Sequence, residues 1–553
     1  MKPEKFNERP HQSEKEEALD YIRTLMEQAR RDSKLEDIPK LEKLLELVDS
    51  KRYGLVWEEH AEWVYEEMKT KIPVFIEDET KKIISNSESE DYNFLLEGDN
   101  LHSLHLLQKT HAGAIDVIYI DPPYNTGNRD FVYNDKIVDK NDGYFHSKWL
   151  SFMSIRLELA RKLLSNSGLI FISIDNNEQA QLKLLCDSIF GESNFVANLV
   201  WSNREGGGSS DSKLFRLKHE YILVYSKQIG KVNIKGVPIS NEDRYKFSDE
   251  YESIRGKYYL QKLGMGSIQY SESLDYPIEM PDGTFIMPSD NNNGEKACWR
   301  WSRKKFEWGI ENGFVEIKKN SKNEWVVYTK QYLNSDNEGN IISRIQRPMG
   351  IIEAFSSTQG AKQLKNIIPN APFSYPKDTN LISWIIDRIE NPSCTILDFF
   401  AGSGTTGHAV AQLNKEDNGN RKYILCTNNE NNICEEVTYT RLLNIQKDLP
   451  HNLKYFKTKF INKDDEELEY VLLNNVKTLI ELEHAIDLEE SDKAVAFTLS
   501  EIRELDLSGI KTVYVRQHSH ALMEKEDKIR YENIELIDVP EYYFASEMRE
   551  AGL

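Results

Sequence analysis

The sequence predicts an α/β fold with a mixed, mostly parallel sheet, and three observations predict it. Short runs rich in Val, Ile and Tyr alternate with amphipathic helical stretches, a pattern typical of parallel sheets. A glycine turn follows one of these runs and opens a helix, as in Rossmann-like folds. The alternation stops between residues 228 and 350, where Gly, Asn, Tyr and Trp become frequent. The chain is therefore expected to be an α/β domain that contains an inserted domain.

The composition is typical of a globular protein and predicts no membrane-spanning segment. The 553 residues are 39% hydrophobic, and no uninterrupted apolar run approaches the ~18 residues of a membrane-spanning helix. The N-terminal stretch MKPEKFNERPHQSEKEE has no apolar core, so no secretory signal is expected. The five cysteines lack CxxC pairs and zinc-like histidine spacing. We therefore expect reduced thiols, no metal and a cytoplasmic location.

The formal net charge of −21 is concentrated at the two ends of the chain. Residues 1–90 carry 16 Lys and Arg against 23 Asp and Glu, and residues 451–553 carry 13 against 23. Residues 231–350 carry 18 against 17. A polyanion is repelled by the acidic ends and tolerated in the middle, so the middle is the part expected to meet nucleic acid.

The N-terminal region, residues 1–90, is predicted to be helical. Ser13 and Glu16 fit a capping box at a helix start. Apolar residues recur after it at helical spacing, at Leu41, Leu44, Leu45 and Val48. Nothing in this region indicates catalysis, and we interpret it as solvated helices.

The α/β pattern runs through residues 91–227 and returns in residues 351–450. Strands are expected within 93–100, 114–120, 167–177, 194–202, 219–227, 395–400 and 422–427. Helices are expected at 147–164 and 379–390. Residues 228–350 are predicted to form the inserted domain, and residues 451–553 an acidic α+β tail.

The strand expected at 114–120 ends in Asp121, Pro122, Pro123 and Tyr124. Proline lacks a backbone N–H donor and fixes φ, so two prolines hold a rigid turn outside the carboxyl end of a sheet. A carboxylate, a free carbonyl and an aromatic ring then share one small space. Taken alone, this DPPY tetrapeptide fits an ordinary strand-ending turn equally well.

A second motif, LDFFAGSGTTG at residues 397–407, is typical of sites for nucleotide-like ligands. Gly402 and Gly404 let the backbone approach a ligand. The two threonines that follow place hydroxyls near a helix N-terminus, which favours a carboxylate. Glu430 lies just past the next strand, where an acidic residue binds ribose hydroxyls. A tightly packed turn and a solvated loop glutamate are the alternatives.

Together the two motifs resemble the amino-methylating DNA methyltransferases that use S-adenosylmethionine (AdoMet). DPPY precedes the glycine turn by about 275 residues, and a non-repetitive insert lies between them. This order resembles the β subgroup, whose target-recognition domain separates the two motifs. The stretches FLLEGDNLHSL, HSKWLSFM, HEYILVYSK and FSYPKDTNLI resemble the modification (Mod) subunits of Type III restriction-modification systems. The resemblance covers residues 50–450.

The resemblance implies a Rossmann-like AdoMet-dependent methyltransferase fold and a role for each residue of DPPY. Asp121 and the Pro122 carbonyl would accept hydrogen bonds from the exocyclic amine of a flipped base. Pro123 would hold the turn, and Tyr124 would stack on the base. We expect the strands that end in the GDN stretch (98–100), in DPPY and in the glycine turn to be neighbours, so that cofactor and base meet.

The resemblance also implies an AdoMet site and a DNA contact. AdoMet would be held by Asp99 on the adenine side, Glu430 at the ribose, Lys377 beside the methionine carboxylate, and Asp398, Phe400, Gly402, Gly404, Thr405 and Thr406 in the turn. The insert would contact DNA through the basic aromatic run that contains Trp299, Arg300, Arg303, Lys304 and Lys305. Packing of a β-rich insert is the alternative for that run.

The implied function is N6 methylation of a flipped adenine at a specific sequence in double-stranded DNA. N4 methylation of cytosine, DNA binding without catalysis and an NAD-dependent oxidoreductase are the alternatives, and the last leaves DPPY unexplained. The chain shows no GxxxxGK[ST] phosphate loop and no nuclease motif, so restriction would require a separate polypeptide. The resemblance further implies a homodimer.

Overall fold

The computed structural model describes residues 14–31, 38–49, 57–86, 89–127, 131–133, 136–138, 141–203, 215, 217–239, 242–265, 269–292 and 294–552. Ser13 of the predicted capping box lies outside the described residues, as does the side chain of Val48. The chain forms two compact units, Met1–Ile234 with Met349–Leu553, and Lys235–Pro348. The second unit is therefore inserted in the first.

A central sheet dominates the first unit. Within the described residues its ten strands are β1 Lys71–Glu77, β2 Asn93–Glu97, β3 Ile115–Ile120, β4 Leu164–Ile174, β5 Phe195–Trp201, β6 Glu220–Ser226, β7 Ile351–Ile352, β8 Thr395–Asp398, β9 Lys422–Thr427 and β10 Leu453–Asn462. Their order is β1-β10-β2-β9-β8-β3-β4-β6-β5-β7. The antiparallel pairs are β1/β10, β4/β6 and β5/β6, and the other neighbours run parallel. The predicted α/β fold with a mostly parallel sheet is confirmed.

Both faces of the sheet are buried. In β3, Ile118 and Ile120 pack into one hydrophobic core, whereas Val117 and Tyr119 pack into another on the opposite face. Successive side chains of a strand point to opposite faces, so a strand covered on both sides must be apolar throughout. This explains the apolar run Val117–Ile120 directly before DPPY.

Helices cover these faces. The helices described in the first unit are Glu14–Arg31, Ile38–Asp49, Trp63–Glu67, Asn100–His111, Phe145–Leu163, Gln179–Phe190, Ser357–Ile367, Thr379–Ile386, Thr405–Asp417, Thr440–Ile445, Leu468–Leu473, Val476–His484, Leu499–Glu504, Ser519–Leu522, Lys525–Arg530 and Glu541–Glu550. A second, parallel sheet contains Lys493–Ala496, Thr512–Arg516 and Glu535–Val539. Within the described ranges, no helix is long and apolar enough to cross a membrane.

β3 and β8 are parallel neighbours at the centre of the sheet. From β3 the chain continues to β4 on one side, and from β8 it continues to β9 on the other. Such a reversal is the topological switch point where open α/β sheets bind ligands. The strands that end in DPPY and in the glycine turn are therefore neighbours, as predicted. The strand before GDN is not, because β9 lies between β2 and β8.

The sheet also draws on both ends of the chain, where the sequence predicted helices and a separate tail. β1 is a strand in the region predicted to be helical, because its core IPVFI is rich in β-branched and aromatic residues. β10 belongs to the predicted tail and lies between β1 and β2. The five-segment domain division remains a prediction.

The inserted unit is β-rich. Its three-stranded antiparallel sheet contains Tyr258–Lys262, Trp325–Tyr332 and Val315–Lys319. Shorter strand pairs are Val237–Pro238 with Ile345–Gln346, Gly264–Met265 with Cys298–Trp299, and Ile278–Glu279 with Phe285–Ile286. Its helices are Glu252–Arg255, Pro288–Asn291 and Arg303–Glu311. Aromatic residues, among them Trp299, Trp301, Phe314 and Tyr332, form its own hydrophobic core.

Candidate active site

A cavity of about 1920 Å³ lies where the parallel strands β2, β3, β8 and β9 end. Its wall includes Asp121 to Tyr124 of DPPY, and Phe400 and Gly402 of the glycine turn. Asp99 and Glu430 also line it. Small-molecule pockets hold roughly 300–1,000 Å³, so this cavity has room for two ligands side by side.

The DPPY turn is fixed by hydrogen bonds on its far side. The indole N–H of Trp149 donates to the Pro123 carbonyl at 2.7 Å. Asn125 follows with a left-handed φ of 56°. Its amide donates to the Phe145 carbonyl and to the buried Glu178 carboxylate. The turn is therefore preorganised and does not need a ligand to shape it.

Four polar side chains meet beside this turn, which we call the DPPY cluster: Asp121, Tyr124, Glu220 and Lys377. The Lys377 ammonium lies 3.1 Å from Asp121 Oδ1 and 3.0 Å from Glu220 Oε2. It also donates to the Tyr124 hydroxyl at 2.7 Å, and that hydroxyl donates to Glu220 Oε2 at 3.0 Å. Two carboxylates thus share one lysine.

Burial and neighbouring charges set the protonation of the cluster. Burial raises the pKa of Asp121, Lys377 opposes that rise, and Glu220 adds to it. Burial opposes ionisation of Glu220 as well, but the charge of Lys377 and three hydrogen bonds leave its pKa lowered. Burial lowers the pKa of Lys377, yet the two carboxylates leave it raised. Among the described residues, Asp121 Oδ1 is buried and accepts no hydrogen bond.

The glycine turn begins where β8 ends. Gly402 and Gly404 have positive φ values of 49° and 71°, which a side chain rarely adopts. A Cβ on Gly402 would lie 3.1 Å from the Phe373 ring, and Thr438 donates to the Gly402 carbonyl at 2.6 Å. The bare backbone of Gly402 therefore forms part of the cavity wall.

Known proteins match this chain in sequence. The model of the DNA methylase family matches residues 115–438, which include both motifs and the insert. The chain belongs to the DNA methylase family. This confirms the predicted resemblance to the amino-methylating enzymes.

Three curated relatives of this DNA methylase are similar over most of its length. The StyLTI Mod subunit of a type III restriction-modification enzyme from Salmonella typhimurium is 34% identical, over 65% of this chain and 56% of that protein. The EcoPI Mod subunit from Escherichia phage P1 is 31% identical, over 70% and 66%. The type II methyltransferase M.KpnI from Klebsiella pneumoniae is 35% identical, over 60% and 79%. The chain thus spans between about half and two thirds of the length of these Mod subunits.

Four predicted cofactor residues of the DNA methylase, Asp398, Gly404, Thr405 and Thr406, do not line the cavity. The buried Asp398 accepts from the Phe400 backbone N–H at 3.0 Å and from the Thr406 hydroxyl. Burial raises the pKa of Asp398 to about 7, although both hydrogen bonds oppose the rise. The Thr405 hydroxyl accepts from the buried Arg441 at 2.9 Å. These side chains shape the turn, and their direct contact with a ligand stays a prediction.

The N-terminal region reaches the cavity, which the sequence did not indicate. Glu62 and the exposed Trp63 line it, and Glu62 pairs with the fully buried Arg156 through two hydrogen bonds of 2.7 and 2.8 Å. Arg156 also lies 3.3 Å from Asp99, which caps the helix Asn100–His111. Asp99 is thus held at the cavity by a chain of buried charges.

Glu220 and Asn203 are further polar residues of the cavity wall that the sequence analysis missed. The only signal for Glu220 is its place in HEYILVYSK, a stretch singled out without a role for any residue in it. Lys377 was expected beside the cofactor, and the structure places its ammonium in the DPPY cluster.

The basic aromatic run of the insert is divided between interior and surface. Trp299 is fully buried and donates to the Tyr276 carbonyl at 2.6 Å, because its strand turns the ring into the core. This corrects the prediction that Trp299 contacts DNA. Arg300 is half-buried and donates to Gln261 and Thr329. The surface residues of the run are Arg303 and Lys304, with Lys305 partly exposed.

Proposed function

We propose that this DNA methylase transfers a methyl group from AdoMet to the N6 amine of a flipped adenine in double-stranded DNA, as the modification subunit of a restriction-modification system. One observation carries the proposal: a single cavity joins the DPPY turn to the glycine turn and has room for both a cofactor and a base. The similarity to two Mod subunits supports the biological setting.

The residues present fit AdoMet. Gly402 offers bare backbone to the cavity, where a Cβ would lie 3.1 Å from Phe373. The Asp99 and Glu430 carboxylates line the same cavity and suit amine and hydroxyl donors. AdoMet, when bound, supplies an electrophilic methyl group. Phe400 adds an apolar surface to this part of the wall.

The DPPY residues act on the other reactant. An exocyclic amine is a poor nucleophile because its lone pair is delocalised into the ring. Asp121 and the Pro122 carbonyl accept hydrogen bonds from its two hydrogens and favour a pyramidal nitrogen with a free lone pair. Asp121 Oδ1, which forms an ion pair with Lys377 but accepts no hydrogen bond within the described residues, is the acceptor that the amine engages. The amine releases one proton as the N–CH₃ bond forms and the S–CH₃ bond of the methyl donor breaks, and the raised pKa of Asp121 suits it to receive that proton.

Tyr124 acts on the flipped base through its ring. Removing a base from the duplex costs a few kcal/mol, and stacking on an aromatic ring returns about 1–3 kcal/mol. The hydroxyl contacts of Tyr124 in the DPPY cluster fix the ring before the base arrives. The cost of ordering the ring is therefore not added to the cost of flipping.

Methylated-base analysis tests this function. The purified protein is incubated with bacterial genomic DNA and AdoMet labelled in the methyl group, and the DNA is digested to nucleosides. N6-methyladenine is the expected product. N4-methylcytosine would establish the alternative amine, to which the same chemistry applies, and absence of label in any DNA would overturn the proposal.

Partners follow from the same proposal. The inserted unit reads the DNA sequence, a separate polypeptide supplies any restriction activity, and the protein works in the cytoplasm as a homodimer. Mixing a Tyr124→Ala subunit with one that lacks residues 235–348 tests the dimer. Restored methylation in the mixture supports two subunits that share recognition and catalysis. An inactive mixture, with heterodimers shown by light scattering and differential tags, would refute that sharing.

A further inference from the structure

Glu220 occupies an uncommon place in the sheet. It is the first residue of β6, which runs antiparallel to β4. The start of an antiparallel strand lies at the edge where its parallel neighbours end, so Glu220 reaches the cavity. Its side chain is 18% exposed. A carboxylate that is so nearly buried needs partners to offset its lost hydration.

Both carboxylate oxygens of Glu220 have such partners. Oε1 accepts from the Asn203 amide at 2.6 Å. Oε2 accepts from the Tyr124 hydroxyl and from the Lys377 ammonium, each at 3.0 Å. Asn203 fixes one oxygen, so the other points at the catalytic tyrosine and the lysine.

This arrangement has two consequences for the DPPY turn. Tyr124 is held at its hydroxyl, which restricts the swing of the ring that stacks on the base. Lys377 is shared, so Asp121 does not hold it alone, and Asp121 Oδ1 accepts no hydrogen bond within the described residues although the ammonium lies 3.1 Å from it. Glu220 thus supplies the acceptor for the Tyr124 hydroxyl and the second carboxylate that pairs with Lys377.

We propose that Glu220 is a positioning residue for methyl transfer. It fixes the Tyr124 ring, and its charge attracts the Lys377 ammonium, so that the Asp121 carboxylate can accept a hydrogen bond from the target amine. The inference rests on the proposed function. Glu220 itself acts through Tyr124 and Lys377 and needs no contact with the substrate.

The pH dependence of the rate tests the proposal, because a purely structural role of Glu220 would not shift it. The pKa of the Asp121 carboxyl is coupled to those of five titratable groups around it: Lys377, Glu220, Tyr124, Tyr119 and Asp398. The Glu220 charge raises the pKa of Asp121, and methyl transfer requires Asp121 as an ionised acceptor. Removing that charge lowers the pKa of Asp121, so the acidic limb of the pH–rate profile moves to lower pH.

The first variant is Glu220→Gln, which keeps the shape and loses the charge. In single-turnover assays with saturating DNA and AdoMet, we expect a rate about 10- to 100-fold lower, because a small misplacement of reacting groups costs about this much. We expect unchanged AdoMet affinity by calorimetry and the shifted acidic limb. Glu416→Gln is the matched control, since this exposed glutamate ends a helix about 16 Å from the glycine turn.

A second variant, Glu220→Asp, keeps the charge on a shorter side chain. It is expected to lower the rate without moving the acidic limb, and it keeps the test open if the Gln variant does not fold. Tyr124→Phe removes the hydroxyl, and the double variant with Glu220→Gln is expected to be no slower than Glu220→Gln alone. If the two substitutions instead lower the rate by independent factors that multiply in the double variant, Glu220 does not act through the Tyr124 hydroxyl.

The outcomes separate the inference from the function on which it rests. A wild-type protein that labels no DNA means that the proposed function fails. A wild-type protein that labels DNA, with a Glu220→Gln variant of equal rate and equal pH profile, overturns the role of Glu220 alone.

Discussion

Asp121 combines a buried carboxylate oxygen with a lysine 3.1 Å away. Its pKa is raised by burial, while the lysine favours the charged form that the amine needs. The lysine favours the charged acceptor form of this carboxylate, and burial lets it receive a proton more readily than an exposed aspartate. These properties fit the proposed role of Asp121 as an acceptor for the target amine.

Asp121→Asn is expected to remove the negative charge and one of the two acceptor oxygens while keeping the side-chain size. We expect the single-turnover rate to fall by about 10²- to 10³-fold, because a preorganised acceptor for the reacting group is lost. AdoMet affinity, measured by calorimetry, is expected to change little. Asp448→Asn, at an exposed position, serves as the control. Wild-type turnover in Asp121→Asn would contradict the assignment.

Gly404 gives a matched pair of substitutions with Gly113. Their φ values are 71° and 72°, but a Cβ on Gly404 would lie 3.2 Å from Thr438, whereas Gly113 faces open space. Each Gly→Ala substitution is expected to cost about 1–2 kcal/mol for the left-handed backbone. Only Gly404→Ala is expected to lose more stability and to weaken AdoMet binding. Equal effects, by thermal unfolding and calorimetry, would show that the turn has no special role.

A buried ion pair helps to attach the short helix Trp63–Glu67 to the cavity. Arg156 has no exposed surface, and both of its terminal nitrogens donate to the Glu62 carboxylate. Arg156 also donates to Asn100 Oδ1 at 2.6 Å and lies 3.3 Å from Asp99. A buried arginine that loses one of its two carboxylate partners keeps a charge that is only partly compensated, which is costly.

Glu62→Ala is therefore expected to lower the free energy of unfolding by about 3 kcal/mol and to weaken AdoMet binding at the Asp99 side. Lys69→Ala is the control, because Lys69 follows the same short helix, pairs with Glu66 at the surface and does not line the cavity. That exposed pair is worth about 0.2–1 kcal/mol. Denaturant unfolding that shows equal losses in the two variants would contradict a special role for the buried pair.

Several elements could be predicted from sequence because their residues are constrained locally. The central residues of β3 and β8, Val117–Ile120 and Ile396–Leu397, are apolar because both faces of the sheet are covered, and the glycines at 402 and 404 mark a turn with positive φ. Pairing partners are not encoded locally. Nothing in the IPVFI run of β1 indicates that it pairs with a strand almost 400 residues later.

The residues of the cavity show the same difference between features that are encoded locally and features that depend on distant partners. DPPY and the glycine turn are contiguous motifs, so their residues were identified together. Glu220 and Arg156 depend on partners that are distant in sequence, and a single charged residue has no periodicity to reveal it. Trp299 was assigned to the surface because its neighbours are basic, but burial of an indole outweighs that context.

The molecule as a whole contains a second unit with its own hydrophobic core, Lys235–Pro348. A unit with its own core keeps its fold when its surface changes. Its near balance of basic and acidic residues contrasts with the acidic ends of the chain. These features suit a module that contacts DNA and varies between relatives.

Exchanging residues 235–348 for the matching segment of a relative with another specificity is expected to change the methylated sequence. Methyl transfer itself is expected to continue, because the DPPY cluster and the glycine turn lie in the other unit. Single-molecule sequencing of DNA from cells that express the chimera reads the outcome. An unchanged methylated sequence would place recognition elsewhere, and unchanged AdoMet affinity controls for folding of the first unit.

Because β10 lies between β1 and β2, the central sheet can be completed only late in the synthesis of the chain. The ribosome finishes β2 at Glu97 but completes β10 only at Asn462. At ~5–20 residues per second, this separation takes about 20 to 70 s. Throughout that interval one edge of β2 lacks its native partner, and unpaired strand edges promote aggregation. The nascent chain thus carries this exposed edge until Asn462 has been made, and protection by chaperones matters most before that point.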